Sequence, residues 1–269
     1  MLLAMLGNVI GPPVSGILSQ YVGWRATFYT LAVGVLFTSI LVFFFIPETR
    51  PRKYTPFKFN PLVPLLLTWK WPLVSLTLPN AFVFAAMYVM LAQSSQLLTT
   101  YFGLSSLLVG IILIPSGFGS LLGSLLSGKI ATSLRSRFGI QGNLSFFIVA
   151  SLGSIISGII YGWLIPYSIV VSVVCLFVSG FAGLTCRTII FSHSTEVNQA
   201  STGATVAGLI CFQFVLISIV MTISGLLLEY ILPGWIYTSI SLITFCTLLL
   251  SFYTVWKKNV GLNQNMYNN

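Results

Sequence analysis

Eight stretches of mainly apolar sequence run through this 269-residue chain, and the two charges that fall inside them sit near their ends. A helix that crosses a bilayer needs about 20 such residues, because the rise is about 1.5 Å per residue against a hydrocarbon core about 30 Å thick. The stretches are Met1–Tyr21, Trp24–Ile46, Leu73–Leu98, Ser105–Ser127, Asn143–Leu164, Tyr167–Phe191, Thr202–Leu228 and Trp235–Trp256. They are long and unbroken, without the alternation of barrel strands, so helices are expected. The predicted fold class is an all-α membrane protein with about eight transmembrane helices. Composition leaves no other solvent for the exterior. Only 6% of residues are charged and 57% are hydrophobic, whereas a soluble domain carries about 25% charged residues to wet its surface.

The net charge of +9 does not imply nucleic acid, which needs its basic residues gathered on one face. Here they fall between apolar runs. Arg50, Arg52, Lys53, Lys58 and Lys70 lie in the loop after the second span, and Lys129, Arg135 and Arg137 follow the fourth. Arg187 lies near the end of the sixth, and Lys257 and Lys258 follow the eighth. If the spans alternate, all of these share one side and Arg25 alone occupies the other. By the positive-inside rule the shared side is the cytoplasm, with both termini there. The first run lacks a basic leader and reads as a span rather than a signal peptide. The expected partner is the lipid bilayer. Four prolines between Pro51 and Pro64 make the 47–72 segment a connector, within which Leu62–Trp71 suits an amphipathic segment at the interface. The polar tail from Asn259 reads as disordered.

An internal match counts the helices. Ser15-Gly16-Ile17-Leu18-Ser19-Gln20-Tyr21 is echoed by Ser224-Gly225-Leu226-Leu227-Leu228-Glu229-Tyr230. Each stretch ends a span, and Gly23-Trp24 or Gly234-Trp235 opens the next. The matched pairs lie six spans apart, as in transporters built from two related six-helix bundles with a midplane site between them. On that count, residues 1–46 are the last two helices of a first bundle and 47–72 the cytoplasmic connector. Residues 73–256 form a complete second bundle, 257–269 form a cytoplasmic tail, and four further helices are expected ahead of Met1.

The first span carries Gly7, Gly11, Pro12, Pro13, Val14, Ser15 and Gly16. This run resembles the antiporter signature of drug exporters of the major facilitator superfamily, with Ser15 where a Gly is usual. Gly23-Trp24-Arg25, Ile46-Pro47-Glu48-Thr49, Pro79-Asn80-Ala81-Phe82-Val83-Phe84, Ile114-Pro115-Ser116-Gly117-Phe118-Gly119 and Gly123 to Lys129 extend the likeness. Together they look like the fungal twelve-span drug:proton antiporters of the quinidine-resistance and dityrosine-exporter type, over Gly7 to about Trp256. That resemblance implies proton-coupled efflux of small organic compounds by alternating access, in a plasma membrane. It also implies that the signature bends its helix and seals the bundle interface against protons. Ala131 and Thr132 stand where the family usually has an acid after the fourth span. The alternative is a truncated, non-transporting membrane protein, or a regulatory partner of a full-length relative.

The residues support the signature on their own terms. Gly7, Gly11 and Ser15 at spacing four let another backbone approach. Pro12 and Pro13 each remove a backbone donor. Seal and packing seam share that geometry, and both readings stay open. Ser116, Ser120, Ser124 and Gly128 repeat the device in the fourth span, where packing is the expected role.

Transport chemistry has few ionisable groups to use. The chain has no Asp and three Glu, namely Glu48, Glu196 and Glu229, none at mid-membrane depth. A coupling carboxylate is therefore expected in the helices ahead of Met1. Arg187 either snorkels to the interface or serves as a gating charge. His193 lies in a loop and reads as solvated. Asn80, Tyr88, Gln93, Gln96 and Gln213 are the candidate substrate path, since amides in lipid turn inward and aromatics with a few polar groups suit amphipathic organic molecules. Each amide could equally tie two helices together. Cys175, Cys186, Cys211 and Cys246 have no ligand spacing and read as inert buried thiols. No nucleophile–base pair, metal cluster or phosphate loop is present, so neither enzyme, metal nor cofactor is expected.

Overall fold

A computed structural model of the chain describes residues 2–45, 73–138, 140–197 and 202–267, with side chains for 7–45, 77–134, 136–137, 145–192, 203 and 205–253. The expected 47–72 connector lies outside the described residues, as do the side chains of Arg135, His193, Glu196, Lys257 and Lys258. The helices are α1 (Leu2–Tyr21), α2 (Trp24–Phe45), α3 (Leu73–Phe102), α4 (Ser106–Ile112), α5 (Ile114–Phe138), α6 (Ile140–Leu164), α7 (Ile169–Val197), α8 (Thr202–Leu227) and α9 (Pro233–Tyr267). No strand occurs among the described residues, and seven spans in them are long and apolar enough to cross a membrane.

Helices follow from the sequence because every backbone polar group in lipid must be satisfied within the segment, and even α1, with Pro12 and Pro13 inside it, and α3, with Pro79, run through as single helices. The fourth span is the exception. It is expected as one helix but is two, α4 and α5, meeting at Leu113. Pro115 has no N–H to give to Ile111, and the ladder resumes with a three-residue bond from Ser116 N to Leu113 O of 3.1 Å. α5 then runs on through Phe138, so Lys129 and Arg137 ride on a helix rather than a loop. No proline or glycine follows Gly128 before that point to stop it. The tail departs from expectation for the same reason, since α9 continues to Tyr267 with Gly261 as the one breaker beyond Trp256.

The core gathers around α3. Val89, Met90 and Leu97 pack with Tyr161 of α6 and Ile165 just after it, Cys175 and Leu176 of α7, and Ile236, Tyr237 and Ile240 of α9. Val83 packs with Phe147, Cys186, Ile189 and Leu248. Phe84, Ala85 and Met87 meet Leu184 and Ile217. α2 differs from every other span in having no buried residue. Cys211 and Cys246 are exposed rather than buried, on the outward faces of α8 and α9, where lipid accepts a small apolar thiol as readily as a core does.

Alternation of the spans brings Tyr21, Trp24, Tyr101, Trp163, Tyr167, Tyr230 and Trp235 to one end of the molecule, all exposed. Trp163 and Trp235 meet edge to face with centroids 5.4 Å apart. Aromatic rings with one polar edge favour the membrane–water interface, so this end marks one bilayer surface. Arg25 stacks on Trp24 at 4.7 Å in the same belt.

Candidate functional site

Three places bring polar or small residues together in the apolar mass. The first is the seam between α1 and the broken fourth span. A Cβ built on Gly16 would lie 2.7 Å from Ser106 O, and one on Gly110 would lie 2.6 Å from Pro12 O. Gly117 abuts Asn8 O and Val9 Cα just as tightly. The carbonyl of Asn8 is one that loses its helical donor to Pro12, and Gly117 exposes its Cα hydrogens to that oxygen. Gln20 continues the row, its Oε1 accepting from Leu107 N at 3.1 Å and so covering an open donor at the start of α4.

The contact row is therefore Asn8, Pro12, Gly16 and Gln20, at spacing four, and not the expected Gly7, Gly11 and Ser15. Cβ atoms on Gly7 and Gly11 would meet nothing within 4 Å. The spacing was legible but its phase was one residue off, because small residues mark both faces of α1. In the fourth span, Ser116 and Ser120 are buried against α7, whose Gly180 abuts the Ser116 carbonyl. Gly119 and Gly123 press on Phe177 and Phe181, and Thr185 donates to Gly123 O at 3.4 Å. Gly128 faces open space.

The second place is a closed network in the C-terminal half of α3. Gln93 donates from Nε2 to Ser224 Oγ at 3.1 Å and accepts from the Tyr237 hydroxyl at 2.9 Å. Ser94 lies 2.5 Å from the Tyr161 hydroxyl and donates to Met90 O. The Tyr161 and Tyr237 rings cross edge to face at 5.2 Å. Every hydroxyl and amide in this network has a partner, so it ties α3, α6, α8 and α9 together. Gln96, read as path-lining, is exposed, six residues before the end of α3 where headgroups can solvate it. The two tyrosines and Ser94 were missed as site residues. Their only sequence signal is a hydroxyl-bearing ring in the middle of an apolar run.

The third place is not closed. Asn80 and Gln213 are 2% and 1% exposed, yet Asn80 Oδ1 and both polar atoms of Gln213 lack hydrogen-bond partners. Phe84, one turn after Asn80, stacks with Tyr88 at 5.1 Å, and Tyr88 reaches Phe214 at 6.5 Å. The Arg187 guanidinium neither stands free at the interface nor pairs with an acid among the described side chains. It sits over the Phe84 ring at 5.1 Å and the Phe191 ring at 5.0 Å. Buried amides are rarely left without partners, and those that are need an explanation.

Two further features are set aside. A groove lined by Gly153, Ile156, Ile160, Val170, Val174 and Cys175 is almost wholly apolar and opens outward between α6 and α7, as lipid would require. Among the described residues no three His, Cys, Asp or Glu side chains gather to hold a metal. A family sequence model described as Major Facilitator Superfamily matches residues 1–217, which runs from α1 into α8.

Proposed function

The chain belongs to the major facilitator superfamily, a family of membrane transporters, and from that premise we propose that it exports small organic compounds by alternating access, coupled to protons. The observation that carries the reading is the open cluster on α3, α7 and α8. Asn80 and Gln213 are buried in a low-dielectric interior with polar atoms unused, beside the aromatic row of Phe84, Tyr88 and Phe214. An amphipathic organic molecule offers those groups what the fold withholds, namely hydrogen bonds for the amides and a flat apolar face for the rings. The Gln93 network, fully satisfied, serves instead to hold the bundle.

The resemblance to fungal drug:proton antiporters supports the direction and the coupling. The α1 seam fits the proposed seal, because Gly16, Gly110 and Gly117 bring backbone against backbone with no room for a water file. The reading includes four further helices beside α1 and α2. They would cover α2, which as described buries nothing, and would bring the coupling acid that the described spans lack. It also places the basic ends of the helices in the cytoplasm and the protein in the plasma membrane.

Tracer efflux of a planar amphipathic drug from cells producing the protein tests the site. Tyr88→Ala and Gln213→Leu are each expected to cut efflux at least about fivefold at equal surface abundance, the loss of roughly 1 kcal/mol of substrate contact. Unchanged efflux in both variants would remove this face from the path.

A further inference from the structure

The open cluster contains a cation that pairs with no acid among the described side chains, and that asymmetry bears on which molecules it takes. Arg187 is half-buried within the apolar span Ile169–Ser192, with its guanidinium between the Phe84 and Phe191 rings. Ring faces stabilise a cation without neutralising it. The chain has three acids in all. Glu229 is exposed beyond the far end of α8. Glu196 is nine residues further along α7, roughly 13 Å of rise and half a turn round the helix from Arg187. Glu48 lies in the 47–72 connector, outside the described residues.

The register of the three helices brings these groups within about two turns of one another along the bundle. α3 and α8 run parallel, since Tyr88 meets Phe214 and, further along both, Gln93 meets Ser224. Phe84 and Ile217 share one apolar cluster. Asn80 lies one turn before Phe84, and Gln213 lies one turn before Ile217 and next to Phe214, so both stand within about two turns of Phe84. α7 runs antiparallel, with Gly183 against Met87 and Arg187 against Phe84. Arg187 therefore enters at the height of Phe84, about one turn from Asn80. A guanidinium, the unpartnered Asn80 carbonyl, the unpartnered Gln213 amide and a row of rings lie along one stretch of the interior.

We propose that Arg187 is the anchor for an anionic aromatic substrate, an organic acid whose carboxylate it binds while the ring of the substrate lies against Phe84, Tyr88 and Phe214. The proposal rests on the reading of this face as the substrate path and adds the charge class. A carboxylate suits the planar fork of Arg in two-point contact and supplies the missing negative charge. The amide nitrogen of Gln213 can donate to the same group. An aromatic cation would meet Arg187 with no described acid to offset the repulsion, which is costly at membrane depth.

Equilibrium binding to the full chain in lipid nanodiscs, corrected with empty discs, tests this with three probes of one ring system. They are 2-naphthoate, 2-naphthylmethanol and 2-naphthylmethylammonium. The expected order places naphthoate at least about tenfold tighter than the ammonium. Arg187→Gln should weaken naphthoate about tenfold or more and leave the alcohol within about twofold, with Arg187→Lys between them. If the unmodified protein binds the alcohol or the ammonium as tightly as naphthoate, the charge assignment falls and the substrate path stands. If none of the three binds, both fall together. Equal weakening of all three probes in Arg187→Gln would make Arg187 a structural residue and overturn the proposal.

Discussion

At the scale of single residues, the two buried glutamines separate holding from binding. Gln93 and Gln213 are both almost inaccessible, one with its amide engaged on both sides and the other with neither side engaged. Replacing Gln93 by Leu strands the buried Tyr237 hydroxyl, at a cost of about 1–2 kcal/mol. Adding Tyr237→Phe removes the stranded hydroxyl, so the double variant should recover part of the loss, as coupled neighbours do. Gln213→Leu should go the other way and raise the resistance of the purified protein to unfolding by about 1–3 kcal/mol, because it deletes unsatisfied polar atoms at similar volume. A protein that keeps Gln213 keeps a destabilising side chain, and functional sites are where such costs persist. Unfolding midpoints in detergent give the comparison, and a destabilised Gln213→Leu would mean that its amide is structural after all.

At the scale of elements, most of the fold was legible because lipid enforces one local rule along each span. The apolar runs set the helices and the Gly-Trp pairs set where new ones open. What failed to read were matters of phase and interruption. The small residues of α1 mark two faces, and only packing chooses Asn8, Pro12, Gly16 and Gln20 over Gly7, Gly11 and Ser15. Pro115 is visible in the sequence, but the packing of α4 against α1 that accompanies its break is a long-range contact that the sequence does not spell out. Of the site, the amides were visible as polar exceptions in apolar sequence. The aromatic seat of Arg187 was not, since Phe84 lies about 100 residues away and phenylalanine is ordinary in a span. The break can be tested through the contact it creates. With Cys211 and Cys246 replaced by alanine, Gln20→Cys and Leu107→Cys should join through a short bifunctional thiol reagent, because Gln20 reaches Leu107 N at 3.1 Å. Pro115→Ala restores the missing donor and favours one straight helix, so cross-linking should fall severalfold. Unchanged cross-linking would show that the α1 contact, rather than the proline, sets the path of α4.

At the scale of the whole molecule, charge and aromatic content divide the two ends of the bundle, and the division predicts how it sits in the membrane. Lys129 and Arg137 lie toward one end, on the part of α5 that runs past its apolar stretch. The exposed ring belt from Tyr21 to Trp235 occupies the other, with Arg25 the basic residue there. Arg187 enters from the basic end, and so does the open cluster of Asn80 and Gln213, while the closed Gln93 network lies toward the belt. A substrate entering from the basic side meets the unsatisfied amides before it reaches the level of the closed network. That order suits a carrier that loads from the cytoplasm. Sidedness decides whether it holds. With Cys211 and Cys246 replaced by alanine, Tyr230→Cys should react with a membrane-impermeant thiol reagent on intact cells, and Arg137→Cys only after the cells are permeabilised. The reverse pattern would put the open cluster toward the outside, where the same geometry would load substrate for uptake, and the export reading would have to be given up.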